Sequence, residues 1–401
     1  MLRQGLLRRQ LREIVEVARD LALRRYPAFV TGGPLPRGHV PVFCFHSLEP
    51  ESFRSKIEHL ARNGYTTLSG AEYAAVLSGE RPAPQRAVVL TFDDGRSSLR
   101  TVGLPILRRY GMKGIVFVIP GRTASRSGPL PPTWDDVTAG RVAAAALLAR
   151  EQGAEALLTW EELDDLAHTG LIDVESHSYS HALVHTSPRL AGFLSPDLRT
   201  GYEPLDVPLI YEDGHDLFAP QAALGTPLLH SQPRLSDALR FYEDPATRGA
   251  CRELAAAEGE ELFRSDGWER KLRRRFDRGA IHCRLETRDE HEQAVRRELA
   301  LARTVIAERL GRDTRQFCFP WHAFGSTAVR LAGATGYRVA FCGKIAGMPI
   351  SLPGSEPMAV ARIGEDYVEL LPGEGRRSLR AVLALKWRRR LRAMLPERRS
   401  R

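Results

Sequence analysis

The chain has 401 residues, 43% of them hydrophobic, enough to bury a sizeable core, and carries a formal net charge of +9. Nowhere do about 18 apolar residues run uninterrupted, and the first twenty residues are punctuated by Arg and acids, which argues against a spanning helix and against a secretory leader. The five cysteines are scattered and form no CxxC pair, so a reduced, cytoplasmic setting is expected rather than a disulfide framework.

In chain order, residues 1–26 read as a basic amphipathic helix, with Leu7, Leu11, Ile14, Ala18 and Leu21 at spacings of four and three. "PAFVTGGPLPRGH" is a Pro/Gly linker to a central domain expected over 39–371. "VPVFCFHSL" reads as a first strand ending at His46, and Phe53, Ile57 and Leu60 mark a helix stopped at "NGY". Ser69 with Glu72, and later Thr159 with Glu162, have the spacing of capping boxes. "VVLTF", "GIVFVIP", "LIDVES" and "RQFCFPW" are apolar, β-branched runs alternating with helical patterns, which predicts a parallel sheet or barrel. Residues 186–290 break this rhythm and read as an insertion that helps shape a substrate site. Residues 372–401 form a second basic amphipathic helix. Residues 1–26 hold seven Arg against three acids (+4) and 376–401 eleven Arg or Lys against Glu397 (+10), leaving −5 for the body.

The most informative stretch is "VVLTFDDGRSS". It sets Asp93 beside Asp94 at the carboxyl end of a buried strand, where α/β sheets and barrels keep their active sites. Two adjacent carboxylates raise the cost of ionising one another unless a cation or separate hydrogen bonds hold them. A turn or helix cap is the bland alternative. In "ESHSYSHALVH", His177, His181 and His185 recur every four residues. One helical turn would bring such imidazoles to one face, where two can meet one metal ion, and a solvated surface turn is the alternative. Two histidines and one carboxylate make a ligand set with positions left open for water. With Asp94 as ligand, Asp93 is free to act as a base, so different environments give the two carboxylates different roles.

"TFDDG" followed by "HSYSH" resembles the polysaccharide deacetylase family, carbohydrate esterase family four, over roughly 40–185 and 290–345. The resemblance implies a distorted (β/α) barrel that hydrolyses N-acetyl groups from sugars, with Asp93 as catalytic base and Asp94, His177 and His181 as metal ligands. "PVFCFHSL" is similar to a permuted branch of the family with its acid histidine on the first strand, which makes His46 the implied general acid; a packing histidine is the alternative. Zinc is the first expectation for the metal, although such a donor set also accepts cobalt, nickel or iron. Where many members carry an Arg that orients the base, this chain has Cys318 in "FCFPWHAFG". Pro320 and Trp321 keep the aromatic wall as substrate-binding candidates, His322 replaces a common Gly, and another basic residue is needed to tune Asp93. Cys318 fits a small buried residue better than a nucleophile, and His185 reads as a spare ligand or a solvated helix position.

The expected function is thus metal-dependent removal of N-acetyl or N-acyl groups from an amino sugar in a polysaccharide or lipid-linked glycan. The alternatives are a deformylase or amidase on another linear amide, or a catalytically silent glycan-binding relative. The stripe Leu379, Leu383, Trp387, Leu391 and Met394 or Leu395, wrapped in Arg, suggests an anionic membrane surface at the inner face of a bacterial membrane, against domain packing and, further off, nucleic acid.

Overall fold

The computed structural model describes residues 19–23, 25–152, 155–196, 223–277, 283–343 and 350–394, which fall into two compact units. The strands are β1 (Val42–Phe45), β2 (Thr66–Thr67), β3 (Ala87–Phe92), β4 (Gly114–Val118), β5 (Ile172–Ser176), β6 (Leu183–Phe193), β7 (Pro227–Pro233), β8 (Phe241–Tyr242), β9 (Arg284–Leu285), β10 (Gln316–Cys318), β11 (Val339–Phe341) and β12 (Ile363–Gly364). The principal helices are α1 (Pro50–Arg62), α2 (Gly70–Leu77), α3 (Leu104–Tyr110), α4 (Trp160–His168), α5 (Pro245–Arg264), α6 (Trp268–Asp277), α7 (Arg288–Leu310), α8 (Ser326–Ala334) and α9 (Leu379–Met394).

The larger unit is a curled, parallel sheet in the order β11–β10–β5–β4–β3–β1–β12, with β2 beside β3, and helices around it. Strands β1, β3 and β4 are buried along their whole length, as parallel strands covered on both faces must be. Both capping boxes form, at Ser69–Glu72 on α2 and Thr159–Glu162 on α4. One short segment holds both ends of the sheet. Val360 pairs with β11 through its own N–H and carbonyl (2.9 and 2.8 Å), and three residues later β12 pairs with β1. Phe29 and Val30, in the stretch expected as a linker, are buried in the same core as Phe43, Phe45 and Phe53.

Glu175 on β5 fastens the start of β10: its Oε2 accepts the N–H groups of Arg315 (2.9 Å) and Gln316 (2.8 Å). Burial pushes its carboxyl up to about 8, against those hydrogen bonds. The acid is therefore neutral when folded at pH 7 and ionised when unfolded. Its contribution is favourable below about pH 4.5 and declines as pH rises to 8, by on the order of 3 kcal/mol at neutrality. Glu175→Gln, which keeps an acceptor, is expected to raise the melting temperature at pH 7.5 and leave it unchanged at pH 4; thermal unfolding at the two pH values checks this.

The second unit takes in the described parts of Ser180–Ala300 and Ala323–Leu331, wider than the insertion read from the sequence. It contains the antiparallel pairs β6–β7 and β8–β9 and a small core of Phe193, Cys251, Ala255, Leu262 and Leu272. The N-terminal helix expected over 1–26 lies mostly outside the described residues.

Candidate active site

Asp93 and Asp94 leave β3 with opposite surroundings. The Asp93 side chain is sealed inside the sheet, where Arg362 forks onto it with 2.6 and 2.7 Å hydrogen bonds to its two oxygens. The same guanidinium donates to Thr91 Oγ1 (3.0 Å) and to the Cys342 carbonyl (2.9 Å), so backbone and strand together fix its plane. Burial by itself would raise the Asp93 carboxyl; the charge and hydrogen bonds of Arg362, helped by His177 and His46, outweigh it and hold the group well below the usual carboxylate range. The basic residue that the sequence reading left open for Asp93 is thus Arg362. It sits in the sheet-closing segment, between the residue paired to β11 and the residue paired to β1. A signal was present: in "AVARIG" a single Arg interrupts an apolar run, and a buried charge needs a partner.

Small side chains make room for the guanidinium. Cys44 Sγ lies 3.4 Å and Cys318 Sγ 3.9 Å from Asp93 Oδ2. Burial pushes the Cys318 thiol well above its ordinary value, which keeps it protonated and inert. Cys318 is therefore a packing residue, as its context suggested.

Asp94 turns the other way, its Oδ1 3.5 Å from His177 Nε2. His177 Nδ1 donates to the Cys318 carbonyl at 2.8 Å, which fixes the ring and turns Nε2 toward Asp94. A backbone carbonyl on the far nitrogen is the usual support of a metal-binding imidazole. His181 follows four residues later and is buried, but not on the helical turn expected. The chain bends through Ser178 (φ 65°) and His181 (φ 56°), and β6 begins at Leu183. The spacing of four is spanned by left-handed loop residues rather than by a helix.

His185 corrects both of its expected roles. It is a buried strand residue of β6 whose Nε2 accepts the Leu229 N–H at 3.2 Å. Burial, then the charges of Arg240 and Arg248, pushes it down to about 3, so it stays neutral as a structural acceptor. His46 follows β1, half-exposed, with Nε2 3.9 Å from Asp93 Oδ2. Pro320 is buried at the start of a short helical turn, whereas Trp321 is partly exposed in the left-handed region (φ 59°). Among the described residues six non-glycines have positive φ. Five of them, Asp94, Ser178, His181, Trp321 and His322, lie on the loops leaving β3, β5 and β10. Such backbone costs on the order of 1 kcal/mol per residue and gathers where function fixes a side chain.

A family model described as polysaccharide deacetylase matches residues 80–191, the segment that carries Asp93, Asp94, His177 and His181. Over this segment the chain resembles the polysaccharide deacetylase family. The poly-beta-1,6-N-acetyl-D-glucosamine N-deacetylase of Escherichia coli (strain K12) is 28% identical over 138 residues, 34% of this chain and 18% of that protein. YxkH of Bacillus subtilis (strain 168) is 25% identical over 150 residues, 35% of this chain and 43% of its own. The chain thus spans less than half the length of the curated relatives it matches. The deacetylase domain of BpsB from Bordetella bronchiseptica has the same fold, with a TM-score of 0.51 at 17% identity over 82% of this chain and 98% of that one.

Proposed function

We propose that this chain is a metal-dependent hydrolase that removes N-acetyl groups from an amino sugar within a polysaccharide or lipid-linked glycan. The observation that carries the reading is the unequal treatment of two adjacent carboxylates. One is clamped in its ionised form by Arg362, and the other faces an imidazole whose far nitrogen is tied to a backbone carbonyl. Asp94, His177 and His181 would hold a divalent metal, zinc first and cobalt, nickel or iron after it. Asp94 and His177 already face one another (3.5 Å), and one carboxylate with two imidazoles is a donor set that suits such an ion. When bound, such a metal supplies Lewis-acid activation of water and of the amide carbonyl.

The chain's own residues do the rest. Asp93, aimed by Arg362, takes the proton of the attacking water. His46 gives the leaving nitrogen its proton, and Trp321 offers a face on which a sugar ring can stack. Arg362 also removes one of the two sequence features, the absent orienting Arg beside the unusual "FPWH", that favoured a silent glycan-binding relative. Acetate release from β-1,6-linked N-acetylglucosamine oligomers, the glycan in the Escherichia coli relative's name, is expected from the metal-loaded protein. No release from these or other N-acetylated glycans by a protein that binds metal would sink the reading.

We also propose that the protein works in the cytoplasm at an anionic membrane surface. All five cysteines are free. Helix α9 buries Val382 and pairs Lys386 with Asp366 (3.1 Å), while Trp387 is 43% exposed on the predicted stripe; the side chains of Leu391 and Met394, and Leu395, lie outside the described residues. No described helix is long and apolar enough to cross a membrane. Flotation with phosphatidylglycerol vesicles is expected, weakened in Trp387→Ser and by high salt. Equal recovery with neutral vesicles, or none with either, would refute it.

A further inference from the structure

His322 has no part in the chemistry above, yet it is held in place at a cost. Both Trp321 (φ 59°) and His322 (φ 58°) occupy left-handed backbone, where glycine would be unstrained. The ring of His322 fills the space above Gly343 so closely that a Cβ on that glycine would lie 1.8 Å from its Cγ and Nδ1. From this seat it meets His46 edge to face, with ring centroids 6.3 Å apart and planes at 83°. That is the favoured geometry for two aromatic rings, and it sets the plane of the half-exposed His46 ring against that of His322.

We infer that His322 is a positioning residue for His46, seated by Gly343, and that it sets the direction in which the His46 proton is delivered. The inference rests on the acid role proposed for His46. In the hydrolysis, water adds its oxygen to the carbonyl carbon and gives its proton to Asp93. The C–N bond then breaks, its electron pair stays on nitrogen, and that nitrogen takes a proton from His46. An amine cannot leave as its anion, so the direction of that proton controls the rate. A nitrophenolate leaves without a proton, so the same residue is idle when the substrate is an aryl acetate.

The experiment compares N-acetylglucosamine oligomers with 4-nitrophenyl acetate on the metal-loaded protein. His322→Ala should lower kcat on the oligomers about 10- to 100-fold at unchanged KM and leave aryl-acetate hydrolysis within about twofold. Gly343→Ala, which is allowed by its backbone but displaces the ring, should reproduce this defect, and the double variant should lose no more than either single one. His322→Gly should melt no lower than the wild type while sharing the kinetic defect, which a merely structural side chain would not do. Equal losses on both substrates, or a silent Gly343→Ala beside an impaired His322→Ala, would overturn the inference. If the wild type releases no acetate, the proposed function fails. The His46 Cε1–Hε1 resonance then decides this inference separately: both variants should move it alike, and an unmoved resonance refutes the seat.

Discussion

Arg362→Met is expected to lower turnover on the order of a hundredfold and to destabilise the fold by about 3–5 kcal/mol, a pair of losses that no surface arginine could produce. The guanidinium is fully buried and makes four hydrogen bonds, two of them to Asp93. Without it a charged carboxylate remains in the core, and burial, the strongest influence on Asp93, pushes its pKa up against His177 and His46 alone. The acid limb of the kcat/KM profile should therefore move to higher pH. In the wild type the sign runs the other way. Asp93 is held well below its unfolded value of about 3.9, so the pair stabilises the fold above that pH and the contribution fades only as pH falls below it. Arg362→Lys should not rescue, since one ammonium cannot reproduce the planar fork. Asp93→Asn should cost about 10³- to 10⁴-fold in turnover, and in the double variant Asp93→Asn/Arg362→Met most of the lost stability should return. Denaturant unfolding of the four proteins provides the cycle, and additive stability losses would show that the pair does not act as one unit.

His177→Ala is expected to abolish both metal binding and turnover while leaving the fold in place. The ring is held by the Cys318 carbonyl on one side and offers the other nitrogen to Asp94, so its loss removes a ligand without opening a charged gap. Elemental analysis of protein prepared without chelator or metal-affinity tag should give about one metal per chain in the wild type and almost none in the variant. A second readout needs no substrate. Metal at a hundred times its dissociation constant should stabilise the wild type by about 2.7 kcal/mol and the variant not at all. Undiminished metal content in His177→Ala would place the ion elsewhere.

What could be read in the sequence was whatever is encoded locally. The buried strands announced themselves as β-branched runs, α2 and α4 by their capping boxes, and Asp93–Asp94 by position at a strand end. Arg362 escaped because its partner lies 269 residues away and nothing in the periodicity of "AVARIG" names Asp93. The histidine run misled for a different reason. A spacing of four fits a helix, but two left-handed residues span it in a loop, and the next histidine starts a fresh count inside β6. The unit around 180–300 was illegible because its long hairpin is irregular, with shifts in pairing between His185, Leu190 and Gly192 that blur any period of two.

The segment that closes the sheet has a consequence in time as well as in space. Asp93 and Arg362 are separated by 269 residues, so at 5–20 residues per second a ribosome needs roughly 15 to 50 s between making one and making the other. During that interval the strand bearing Asp93 can begin to fold, but its carboxylate has no counter-ion and cannot be buried cheaply. The same ion pair that is proposed to aim the base thus makes the central strand wait for the end of the barrel. On the proposed function, a nascent chain gains its acid–base centre only when the sheet shuts, so the proposed activity and the closure of the sheet arrive together.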